Sequence, residues 1–447
     1  MGRPSRDAVE KVAFVIGVAF LAVLYGYLAH DYGWFPAPLF ERAGQQARAV
    51  APLNDEEPGF VYPRVHERSG VRVIDSSAVR SGYTLITSVW KDYEWGPGLR
   101  LFDPGGRVVH EWRVRPEELF SASDARRGPI PMEHRNLHGT HLLENGDVLV
   151  NVEPAGTVRL DACSRVLWSL AEGGHHSIER ADDGTFWIPG MSQMVDPETP
   201  DHPSGLPGLE TPVFMDRILR VSPEGDLLRS INVLDVLWKN DLERHLLLSG
   251  RKGSIDPTHL NDVEPLPDSL AREYPLFESG DLLVSLRNLH LVLVLDPESE
   301  RVKWYRTGPF IMQHDPDWIG DGWIGVFDNN RDHTDRGTML GGSRIVALQP
   351  ETGETRVLFP SEDSPPFHTD RMGKWQRLAN GNLLLTESFA GRVLEVTASG
   401  QATWEWVARP YDEGSVPWVQ QGRRVDLTPE TVESWDCPEG DGVAVQR

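Results

Sequence analysis

The 447-residue chain reads as an all-β protein: a six-bladed β-propeller with an N-terminal transmembrane helix. Three observations predict this. First, one hairpin pattern, an apolar strand, a turn with Asp, Ser, Pro or Gly, then a second strand, recurs six times. The copies are "LRLFDPGGRVVHEW", "VRLDACSRVLWSL", "ILRVSPEGDLLRSI", "LVLVLDPESERVKWY", "RIVALQPETGETRVLF" and "RVLEVTASGQATWEW". Second, another hairpin signal precedes five of them, "ENGDVLV", "DDGTFWI", "SGDLLVS", "GDGWIGV" and "NGNLLLT", with "SGYTLITS" in that place in the first copy. Third, the 42 glycines and 34 prolines suit a fold that needs many turns. Six copies of a four-strand unit, spaced by roughly 50–75 residues, indicate blades around an axis, whereas a sandwich shows no common strand order.

Taken in order, the elements justify themselves as follows. "VAFVIGVAFLAVLYGYL" (12–28) carries no charge and follows Arg3, Arg6 and Lys11. Its length fits a short membrane span, and the cations set an N-terminus-inside orientation. Residues 1–30 are therefore expected to be an uncleaved anchor in the cell inner membrane; a cleaved signal is the competing reading, but no A-x-A site follows the apolar run. Everything beyond would face the periplasm or cell exterior. Residues 31–70, rich in Pro, Ala and charge, read as a linker. The expected blades are 71–112, 138–170, 175–231, 259–306, 314–359 and 373–407, with tryptophans filling the wedges between them. Residues 408–447 are expected to be a C-terminal extension. Cys163 and Cys437 could pair in an oxidising compartment or stand as two small apolar residues; neither lies in a metal-binding spacing.

The formal charge of −23 excludes nucleic acid as a partner, because phosphates would be repelled. There is neither a GxxxxGK[ST] loop nor a GxGxxG strand–turn–helix, so no nucleotide cofactor is expected, and none of any other kind.

A second regularity marks a site. His138, His176 and His314 each stand eight residues before a turn glycine, Gly146, Gly184 and Gly322. Blade four carries an insertion, but "THLNDVEPL" puts His259 at the same entry. In a propeller such positions are pseudo-symmetric, so the four histidines should converge at one mouth of the channel, with His141 as the alternative inward residue to His138. His30, His66, His110, His202, His245 and His368 read as packed or solvated residues. Converging imidazoles can act as nucleophile, acid–base or metal ligand. Arg287, in "VSLRNLHLVLVLD", offers a fork for an oxyanion; Asn288, Asn329 and Arg331 are further candidates of that kind.

These residues resemble a known family, the bacterial arylsulfate sulfotransferases, over most of residues 71–407. The resemblance is carried by "HLNDVEPL…GDLLVSLRNLHLVLVLDPESERVKWY", by "QHDPDWIGDGWIGVFDNN" and by "HHSIERADDGTFW", where Ser177 replaces the usual Asp. It implies a propeller that moves a sulfuryl group from a phenolic sulfate ester to a phenol through a sulfohistidine, with small aryl sulfates and phenols as partners and no metal. By the same resemblance His314 is the nucleophile, His259 and Arg287 hold the sulfuryl oxygens and assist the leaving group, and His176, or His175 in an alternative register, completes the set. His138, Asn288 and Arg331 are taken as substrate-contacting candidates from position alone. The insertion "PDSLAREYPLFES" is expected to reshape the rim beside His259. The alternative to catalysis is a non-catalytic binding or scaffold propeller at the cell envelope.

Overall fold

The computed structural model describes residues 6–31, 35, 58–435 and 437, apart from 125–135, 196–204, 206–208, 210–211, 250–253 and 335. It divides into two units, residues 1–57 and 58–447. In the first, Arg6–Asp31 is one α-helix whose stretch Glu10–Ala29 is long and apolar enough to cross a membrane. Most of the expected linker lies outside the described residues.

The second unit is a six-bladed β-propeller. Blades two to five each use four consecutive antiparallel strands, in order from axis to rim. Blade two runs Asn136–Leu142, Val148–Glu153, Gly156–Leu160 and Val166–Leu170. The first three of these are largely buried and the last largely exposed, which places the first strand at the axis. The turn between the first two strands needs Gly146, at φ 86°, where a Cβ would stand 2.7 Å from the Trp435 ring.

Two expected boundaries are corrected. Residues 408–447 are not simply an extension: Val419–Val425 is the axial strand of blade one, paired with Tyr83–Trp90. Blade one also does not begin at 71, because Gly70–Val73 pairs with Ala402–Val407 as a fifth, outer strand of blade six. The physical reason is closure, since a ring assembled from one chain leaves an open seam unless the termini share a sheet. Cys163 and Cys437 are bonded, tying the segment after the closing strand to a turn of blade two.

The core is distributed in the same circular way. Among the described residues six buried apolar clusters occur, one between each pair of neighbouring blades, and every cluster has a tryptophan in it or packed against it. A four-stranded sheet is apolar on both faces here because each face is covered by another blade. The blade-four insertion does not reach the histidines. It follows Leu260–Pro265, so a strand of about 20 Å separates it from His259. Its Tyr274 and Phe277 pack against Trp318 instead, filling the wedge to blade five. Val233–Lys239 and Arg244–Leu248, two short helices after blade three, were not anticipated.

Candidate active site

Because the strands of each blade alternate in direction, the entry to the first strand and the exit from the second meet at the same end. That end gathers the histidines. The ring of His176 lies 4.0 Å from that of His138, 4.9 Å from His259 and 6.1 Å from His314, centroid to centroid. All four are buried. His176 and His259 stand at φ 61° and 50°, an uncommon backbone state for side-chain-bearing residues. The register shifts beside His138, His259 and His314 are β-bulges, which re-aim a side chain out of the regular ladder. Beside His138 the bulge needs Gly139, at φ 100°, since a Cβ there would stand 2.5 Å from the His176 carbonyl oxygen.

Each histidine has a distinct partner at Nδ1. His138 Nδ1 is 2.9 Å from Glu153 Oε2, and His259 Nδ1 is 2.5 Å from Asp256 Oδ2. These carboxylates only accept, so they fix the Nδ1–H tautomer and can support a positive ring. His314 Nδ1 is 2.6 Å from Asn329 Oδ1. The Asn329 amide is oriented by its other end, whose Nδ2 donates to the carbonyls of Thr369 at 2.9 Å and Met372 at 2.7 Å. His314 therefore carries its proton on Nδ1, and its Nε2, which has no hydrogen-bond partner among the described residues, presents a lone pair. Burial, then the Arg287 guanidinium, holds the His314 pKa well below its ordinary value, so the ring is neutral. His176 is likewise pushed well below, by burial and then by the neighbouring histidines. Behind it, His175 Nδ1 lies 2.7 Å from His176 Nδ1, and His175 Nε2 lies 3.8 Å from Asp216 Oδ1.

The expected residues are thus largely brought together, with two sorted elsewhere. His138 joins the cluster and His141 does not: it packs edge-on to Phe186, and burial lowers it to about 3. His175 is behind His176, so the register with His176 innermost is the observed one. Asn288 uses its amide within the fold, donating to the Asp256 carbonyl at 2.7 Å and accepting from Arg287. Arg331 pairs with Asp370 at 2.7 Å and lines a cavity together with Tyr62 and Arg371. Glu153 and Asp256 were missed, although a signal for the first exists. Glu153, Arg287 and Asn329 each stand seven residues after a turn glycine, Gly146, Gly280 and Gly322, the mirror of the histidine offset. His138, Glu153 and His176 each offer an atom to a metal, all within 4.8 Å of one another.

Further along the axis, Lys374 contacts Asp315, with Asp262 Oδ1 3.4 Å away. Burial raises Glu264 and Asp317 well above the usual carboxylate range, and neighbouring carboxylates add to the rise.

The description that matches this chain is Arylsulfotransferase (ASST), over residues 139–409. No curated protein matches. Among solved structures, a protein of unknown function from Bacteroides caccae is similar at 13% identity and TM-score 0.46, covering 73% of this chain and 94% of that one. TolB from Acinetobacter baumannii is similar at 10% identity and TM-score 0.41, covering 76% and 66%. Virginiamycin B lyase from Staphylococcus aureus is similar at 11% identity and TM-score 0.35, covering 62% and 71%. Likenesses this loose carry no weight for chemistry.

Proposed function

Because the chain belongs to the arylsulfotransferase (ASST) family, we propose that it transfers a sulfuryl group from a phenolic sulfate ester to a phenol by a two-step route through a sulfohistidine at His314. The observation that carries the proposal is the state of that residue: buried, neutral, with its tautomer locked by Asn329 and the Nε2 lone pair unpartnered. Imidazole nitrogen of this kind is a competent nucleophile without prior deprotonation.

In the first step Nε2 attacks sulfur, the S–O bond breaks, and its electron pair leaves on the phenolate oxygen. His259, backed by Asp256, supplies the proton that this oxygen takes up. In the second step the acceptor phenol returns a proton to that imidazole, its oxygen attacks sulfur, and the N–S bond breaks. Arg287 neutralises charge on the sulfuryl oxygens in both steps, and His176, braced by His175, lines the same space. His138 with Glu153 is a second carboxylate-backed imidazole within the cluster, and its role in this reading is to contact the substrate. We further propose that the N-terminal helix is an uncleaved inner-membrane anchor and that the propeller works in the periplasm or outside the cell, a reading supported by the Cys163–Cys437 disulfide.

The test is intact mass after incubation with p-nitrophenyl sulfate. A gain of one SO₃ that is absent in His314→Ala is expected. Turnover without an adduct sinks the covalent step, and neither adduct nor turnover across activated aryl sulfates favours the non-catalytic binding propeller. A second reading, a metal centre at His138, Glu153 and His176, is favoured by their proximity. Elemental analysis of purified protein tests it; stoichiometric zinc, copper or iron would support it.

A further inference from the structure

A cavity of about 690 Å³ is lined by residues 62–65, 331, 333–334, 336, 368, 370–371 and 389. That volume suits a ligand of small-drug size. Its charge is unlike that of the molecule around it. In a chain of net charge −23, the described lining residues include Arg64, Arg331, Arg336 and Arg371 against one carboxylate, Asp370, with Asp332 close enough to act on His368. The acids that answer these cations are shared. Asp370 serves both Arg331, at 2.7 Å, and Arg371, at 3.5 Å. Glu387, fully buried behind the wall, serves both Arg336, at 3.0 Å, and Arg392, at 2.9 Å, and also lies 3.1 Å from His66 Nε2. Among the described residues, the four lining guanidiniums outnumber the two carboxylates that pair with them.

Two further features point to what fills it. Tyr62 and Phe389 stack with centroids 3.9 Å apart and planes 9° from parallel, forming an aromatic wall, and the Arg371 guanidinium lies over the Phe389 ring at 5.6 Å. His368 also lines the cavity, is 3% exposed, and has no hydrogen-bond partner on either ring nitrogen among the described residues. A buried polar ring in that state has hydrogen-bonding capacity for a group that enters the cavity. The cavity is coupled to the histidine cluster through Asn329. That side chain holds His314 Nδ1 at one end and, at the other, the carbonyls of Thr369 and Met372, which bracket the lining residues Asp370 and Arg371 in the chain.

We infer that this cavity binds the body of an aromatic substrate that carries a carboxylate or sulfonate in addition to its phenol oxygen. The inference rests on the sulfuryl-transfer reading and extends it, because it names the substrate class. The guanidiniums take the anion, Tyr62 and Phe389 take the ring, and His368 hydrogen-bonds a polar group of the ligand.

The test is calorimetric binding of 4-hydroxyphenylacetate against its neutral counterpart 4-hydroxyphenethyl alcohol, with no sulfate donor present, so that it does not depend on turnover. Full-length protein is expected to bind the anion about tenfold more tightly, and less so at high salt. That preference should vanish in Arg331→Gln/Arg371→Gln and persist in His314→Ala. Arg371→Gln alone, at a half-exposed position, should weaken it in a variant that keeps its fold by circular dichroism. Equal binding of the two probes, a preference that survives the double variant, or its loss in His314→Ala would overturn the inference. Sulfuryl-transfer failure with the preference intact would instead overturn only the proposed reaction.

Discussion

At the scale of single residues, the four histidines divide by their partners. Two face carboxylates and two are held neutral by burial. For His314 the depressed pKa sets the pH behaviour. The ring is already unprotonated, so with p-nitrophenyl sulfate, whose leaving group needs no proton from His259, the rate of adduct formation should stay level from about pH 8 down through 6.5, where an ordinary histidine would begin to be lost. Rapid-quench measurement of the adduct checks this; an acid limb centred near 6.5 would refute it. Stability has the opposite exposure. Below 6.5 the unfolded chain binds protons at His176 and His314 that the folded chain refuses, so stability falls as pH drops, and His314→Gln should reduce that slope in denaturant titrations. Arg287→Ala should keep the nucleophile yet slow transfer by about 10²–10³-fold, the effect of losing one oxyanion partner. His259→Ala should cost most with poor leaving groups and least with nitrophenol, which departs without a proton. Steady-state rates across a phenyl sulfate series distinguish the two.

At the scale of elements, the blades were legible because each repeats the same hairpins, and the histidine offset was legible because the repeat kept it. Glu153 and Asn329 obey an equally fixed offset, so their pairing with His138 and His314 was readable in principle once two positions per blade were compared. The closing strand was not. Val419–Val425 lies far from the sheet it completes, and "VQQGRRV" has no turn glycine or apolar alternation to mark it as axial. It matters more than its look suggests. Deleting 419–447 leaves blade one without its inner strand and exposes the unpaired edge of Tyr83–Trp90, so cooperative thermal unfolding should be lost. Cys437→Ser keeps that strand and should cost only about 2–4 kcal/mol in a denaturant titration under non-reducing conditions. If truncation at 418 melts like the full chain, the closure is not what holds the ring.

At the scale of the whole molecule, stability is shared around a circle of six wedges with no single centre. None of the described residues of the first unit belongs to those clusters. Removing residues 1–30 should therefore leave far-UV circular dichroism and the melting of the propeller unchanged, while shifting the protein from the membrane fraction to the soluble one. Loss of folded protein on deletion would place those residues inside the fold. What the sequence by itself determined was whatever is local or repeated: the strand–turn periods, the six units, the apolar helix, and the entry position of the histidines. Period-2 patterning and turn chemistry act within a few residues, and repetition lets a weak local signal be read several times over. What only the tertiary structure decided was whatever joins distant segments. This includes the pairing of both termini into blades one and six, the Cys163–Cys437 bond, and the cavity where Arg331 meets Tyr62 and Arg371. Those contacts are set by ring closure and side-chain packing between residues hundreds apart in the chain, and no pattern along the chain encodes a distance across the circle.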